Sequence, residues 1–102
     1  MGPLHTVNKS PFAGPALDSC LGHLTEGAAL LLIEDGVYAA VADSAAAAKL
    51  AMAAGRYAIY ALGPDLAARG LGKASLLDGI MVIDYLGFVD LAVRHSTVQA
   101  WL

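Results

Sequence analysis

Among its 102 residues the chain has one cysteine, Cys20, and one tryptophan, Trp101. A lone thiol closes no internal disulfide, which excludes a secreted scaffold stapled by cystines. Charge is scarce as well, at 15% of residues against roughly 25% in ordinary globular chains. The six Lys and Arg are scattered and the net charge is −3, which argues against direct binding to a nucleic-acid backbone. No continuous apolar run approaches the ~18–20 residues that span a bilayer. No basic stretch followed by an apolar core marks a secretory leader. A cytoplasmic protein without membrane contact is the expectation.

What the chain has in excess is apolar residues, 58% of the total, with 21 alanines among them. Residues 1–102 suit one domain of ordinary size. So small a monomer hides that much apolar surface poorly, and partner subunits are expected to cover part of it.

Short apolar runs alternate with helical patterns. The runs at Leu4 to Val7, Ala28 to Ile33, Tyr57 to Leu62 and Ile80 to Ile83 have the composition of buried parallel strands. Thr97 to Leu102 is a candidate edge strand. Between the first two runs, Pro15 suits a first helical turn. Leu17, Cys20, Leu21 and Leu24 recur at helical spacing up to Gly27. Glu34-Asp35-Gly36 reads as a turn, and Val37 to Ala42 fits strand or helix equally well. Asp43 or Ser44 offers an N-cap for an alanine-rich helix ending at Gly55. A short helix follows at Asp65 to Arg69, then a loop from Gly72 to Asp78. A last helix from Gly87 to about His95 has Phe88, Val89, Ala92 and Val93 as its apolar side. This alternation predicts an α/β fold: a three-layer domain with a mainly parallel sheet of four to five strands flanked by helices, Rossmann- or flavodoxin-like.

In such sheets chemistry gathers on the loops beyond the carboxyl ends of strands. The segment Leu4 to Cys20 is therefore the place to look, since Cys20 is the one side chain able to supply a strong nucleophile near neutral pH. Against this, free cysteine is usually a small buried hydrophobe. Asp18 would raise its pKa, and only Lys9 or a protonated His23 would oppose that. Cys20 with His23 is half a zinc site at most, with no second cysteine and no paired histidines. His5 and His95 read as satisfied core or surface histidines. Gly70-Leu71-Gly72-Lys73-Ala74-Ser75 follows a helix and has Ala67 where a phosphate loop needs glycine, so it is rejected. Glu34, Asp35 and Asp84 stand at strand ends, where they read as turn and cap residues in preference to magnesium ligands. Trp101 reads as an anchor, against this domain or a neighbouring subunit.

Several islands resemble the DsrH/TusB family. They are Leu4-His5-Thr6-Val7-Asn8-Lys9-Ser10-Pro11-Phe12, Glu34-Asp35-Gly36-Val37-Tyr38-Ala39, Leu62-Gly63-Pro64-Asp65-Leu66-Ala67-Ala68-Arg69-Gly70, Ile83-Asp84-Tyr85 with Phe88-Val89, and Gln99-Ala100-Trp101. Each is short, and their order and spacing from Leu4 to Leu102 carry the likeness. The resemblance implies a subunit of a cytoplasmic sulfur-relay complex, a hexamer with two copies each of DsrE/TusD-like, DsrF/TusC-like and DsrH/TusB-like chains. It places the principal persulfide cysteine on the DsrE/TusD-like partner, which passes sulfane sulfur to a DsrC/TusE-like carrier. The Tus branch serves 2-thiouridine formation at the tRNA wobble position, and the Dsr branch serves sulfur oxidation.

A cysteine on the helix after the first strand, like Val7, resembles DsrH more than TusB. The resemblance thus makes Cys20 a candidate persulfide residue and favours sulfur oxidation. The alternative is a TusB-like structural subunit whose Cys20 carries no sulfur. Persulfide exchange needs no metal or organic cofactor, and none is expected. A flavodoxin-like phosphate or nucleotide binder is the remaining class, and it lacks a glycine fingerprint.

Overall fold

The run Leu4–Val7 forms strand β1 with all four side chains buried. The computed structural model describes residues 2–102, and within them the chain builds one parallel sheet around this strand. Helix α1 (Ala16–Leu21) follows, then β2 (Ala29–Leu32), a 3₁₀ helix (Glu34–Ala40), α2 (Ala47–Ala54) and β3 (Ala58–Leu62). Helix α3 (Gly63–Ala68), β4 (Ile80–Ile83), α4 (Tyr85–Arg94) and β5 (Val98–Trp101) complete the order. The strands lie in the order β4-β3-β2-β1-β5, and every adjacent pair is parallel. The expected α/β fold and its parallel sheet are therefore present.

The pleat sends alternate residues to opposite faces. Val7, Leu30, Leu32, Ile59 and Ala61 point to one face, where Leu17 and Cys20 of α1, Val37 of the 3₁₀ helix, Leu50 of α2 and Leu66 of α3 cover them. Leu4, Ala29 and Leu31 point to the other face, where α4 covers them through Leu91, Phe88 and Ala92. That face thus receives one helix and the first receives four elements. Strands β1 to β4 are laid down side by side in one direction, and α4 then carries the chain back across the sheet to place β5 beyond β1. The switch point lies between β1 and β5.

Four local expectations need correction. The first helix ends at Leu21 with Gly22 as its cap, well short of Gly27. Gly27 instead takes φ of 83° before β2. The 3₁₀ helix begins at Glu34, so Glu34-Asp35-Gly36 is its first turn and Val37 is a core residue. Helix α2 starts at Ala47 with Ala46 at its N-cap, so neither Asp43 nor Ser44 caps it, and the Ser44 hydroxyl donates to the Ala39 carbonyl. The last correction concerns α4: Val89 and Val93 face outward, while Phe88, Leu91 and Ala92 face the sheet. That helix is apolar nearly all round, so periodicity did not choose its inner face.

Candidate functional site

Cys20 lies in the last full turn of α1, on the stripe turned to the sheet. It is 0% exposed and packs in the main core with Leu17, Val7 and Leu30. Desolvation by this burial pushes its thiol up to about 12, so near neutral pH it is protonated and a weak nucleophile. Asp18 takes no part in that shift, since its carboxylate accepts from Lys49 Nζ at 2.8 Å on the outer side of the helix. Grooves of about 450 Å³ between α1 and α2 and about 500 Å³ beside Gly63 and Val82 exist, and neither is lined by Cys20.

The histidines do not gather around the thiol. His23 lies beyond the end of α1, where its Nδ1–H donates to the Ser19 carbonyl at 2.7 Å. His95 Nδ1–H donates to the Gly2 carbonyl at 2.9 Å and ties the end of α4 to the start of β1. Among the described residues, no group of three or more His, Cys, Asp and Glu could hold a metal ion.

The acidic residues at the strand ends are structural. Asp84 caps α4 by accepting from Gly87 N at 2.8 Å. Glu34 has φ of 48°, and its amide donates to Asp65 Oδ2 at 2.6 Å. Arg69 Nε donates to Asp35 Oδ1 at 2.8 Å, and this bond holds the guanidinium firmly in its charged form. The 3₁₀ helix and α3 are thereby clasped together.

Two features escaped the sequence reading. The first is a ring cluster at the switch point: Trp101 Nε1–H donates to His5 Nδ1 at 2.9 Å. Its ring also lies 5.2 Å from that of His23, centroid to centroid. The signal in the sequence was a histidine inside the short strand run Leu4–Val7. Trp101 anchors on its own domain. The second feature is the outer stripe of α4, with Tyr85, Leu86, Val89 and Val93 exposed at one-turn and two-turn spacing. Leu86 is 79% and Val93 78% exposed. A helix apolar on both faces belongs inside an assembly.

Residues 9–98 match the family model described as "DsrH like protein". The chain belongs to the DsrH/TusB family. It is 43% identical over 98 residues to Protein TusB of Shigella flexneri, covering 96% of this chain and 99% of that one. It is 39% identical, with the same coverage, to Protein TusB of Pectobacterium parmentieri. Its fold is similar to that of the E. coli ychN protein, with a TM-score of 0.82 at 16% identity, covering 98% of this chain and 99% of that one. A protein of unknown function from Methanobacterium thermoautotrophicum, MTH1491, matches with a TM-score of 0.76 at 14% identity, covering 95% and 96%. DsrH/TusB membership is consistent with a sulfur-relay subunit, and among the described residues no helix is long and apolar enough to cross a membrane.

Proposed function

We propose that this chain is the structural, TusB-like subunit of a cytoplasmic sulfur-relay complex. It assembles with DsrE/TusD-like and DsrF/TusC-like chains, two copies of each, and the complex passes sulfane sulfur to a DsrC/TusE-like carrier. The persulfide cysteine sits on the DsrE/TusD-like partner, and Cys20 is a packing residue. One observation carries this reading: the thiol is enclosed and held protonated, whereas persulfide exchange requires an accessible thiolate. The exposed apolar stripe of α4 supports the assembly half of the proposal, as the surface a homologous subunit would cover. Curated relatives named TusB support the tRNA 2-thiouridine branch over sulfur oxidation. The competing reading, Cys20 as a persulfide carrier, requires the core around α1 to open during transfer.

Co-expression with both partners, native mass spectrometry and a transfer assay to the carrier test the proposal. A hexamer whose transfer is unchanged by Cys20→Ala supports it. A stable monomer that ignores both partners overturns the assembly half. A persulfide on the Cys20 peptide, with transfer lost in Cys20→Ala, overturns the packing role and establishes the carrier.

A further inference from the structure

The ring cluster at the switch point has an internal asymmetry. An indole N–H only donates, so His5 Nδ1 must present a lone pair, and His5 is the neutral tautomer protonated on Nε2. Among the described residues that Nε2 has no hydrogen-bond partner, and the residue is 2% exposed. Protonation of Nδ1 would set its N–H directly against the indole N–H and leave both donors unpaired, one on buried His5 and one on half-buried Trp101, an arrangement the closed structure does not accommodate. Burial first, and the charge of a protonated His23 second, lower the pKa of His5. Among the described residues, burial and His23 are the two causes of that shift. The register neighbours of His5, Leu30 on β2 and Gln99 on β5, are not ionisable. On α1, Asp18 is ion-paired with Lys49 and the Cys20 thiol is neutral.

Strand β5 has little else to hold it. It pairs along one edge with β1, its residues Val98, Gln99 and Ala100 are exposed, and Trp101 is the side chain that seats it. Trp101 packs against the same core that encloses Cys20.

We infer that the His5–Trp101 pair is an acid-released latch. At neutral pH the indole locks neutral His5 and pins the end of β5 to the core. Protonation of His5 expels Trp101, frees the end of the strand and loosens the layer that covers Cys20. This device is a property of the isolated chain and stands apart from the subunit assignment above.

Trp101 and Cys20 are the sole tryptophan and the sole cysteine, so each reports on one position. Tryptophan emission and labelling by a dipyridyl disulfide, a reagent that stays active in acid, are followed from about pH 8 to about pH 5. Far-UV circular dichroism runs in parallel. Acidification is expected to shift the emission to the red and speed labelling reversibly, with secondary structure retained. The midpoint lies below the ordinary histidine value of about 6.5. Each pH unit between that value and the midpoint multiplies the open population by about ten. His5→Gln retains an acceptor and abolishes the pH dependence, and Trp101→Phe labels fast at every pH. Flat emission and labelling, or a transition unchanged in His5→Gln or coincident with global unfolding, overturns the latch. The imidazole ¹⁵N spectrum of the unsubstituted chain at neutral pH needs no variant: an Nε2–H tautomer for His5 supports the latch, and an Nδ1–H tautomer overturns it.

Discussion

Gly36 lies so close beneath the carbonyl of Val7 that a β-carbon on it would collide with that oxygen. The contact arises because the 3₁₀ helix folds back under the end of β1, with Ile33 N donating to Val7 O at 3.0 Å and Gly36 N to Ile33 O at 2.8 Å. Both partners are backbone, so neither yields easily. Gly36→Ala is expected to cost about 1–3 kcal/mol through overpacking. Urea unfolding of the two chains checks this, and an unchanged midpoint would mean that the loop shifts freely.

Cys20 gives a pH dependence with a definite sign. Its thiol ionises at about 12 in the folded chain and at about 8.5 when unfolded. Between those values the folded state holds the extra proton, so the contribution is complete below about pH 8.5 and is lost as pH rises toward 12. Stability is expected to fall on the alkaline side, and Cys20→Ala is expected to remove that part of the slope. Cys20→Ser buries a hydroxyl and, where it finds no partner, costs about 1–3 kcal/mol at neutral pH. Denaturant titrations at about pH 8 and about pH 10 separate the two effects.

Arg69 and Asp35 clasp α3 to the 3₁₀ helix at 2.8 Å, but Asp35 is more than half exposed. Solvent screening therefore limits the pair to about 0.2–1 kcal/mol. A double-mutant cycle of Arg69→Ala and Asp35→Ala is expected to return a coupling in that range that weakens with added salt. A coupling several times larger would mean that the clasp acts as a network with Asp65, whose carboxylate also holds the Glu34 amide.

The outer stripe of α4 separates folding from assembly. Leu86→Asp and Val93→Asp place charges on side chains that make no core contact, so each is expected to change monomer stability by within about 0.5 kcal/mol. The same changes are expected to abolish co-purification with the partner chains. Loss of monomer stability would place these side chains in the fold itself, and retained assembly would place the interface elsewhere.

Much of the architecture was legible in the linear sequence. Leu4–Val7 and Ile80–Ile83 are strands over the very residues read as such, and the runs at Ala28 to Ile33 and Tyr57 to Leu62 hold strands within their bounds. Continuous apolar runs between helical patterns point to a parallel sheet covered on both faces; β1 and β2 are buried in that way, whereas β4, at the sheet edge, leaves Met81 and Val82 exposed. Family membership was legible for a related reason: it is carried by short islands whose order survives in the chain itself. Three matters awaited the tertiary structure. The inner face of α4 was undetermined by a helix apolar nearly all round, and only its seat on Leu4, Ala29 and Leu31 selected Phe88, Leu91 and Ala92. The chemistry of Cys20 depends on what covers it, and the covering residues come from β1, β2 and helices distant in sequence. The His5–Trp101 bond joins residues 96 positions apart, a pairing set by α4 carrying the chain back across the sheet. Periodicity and propensity are properties of near neighbours, whereas access, protonation and tautomer are properties of the enclosed space that the whole fold creates.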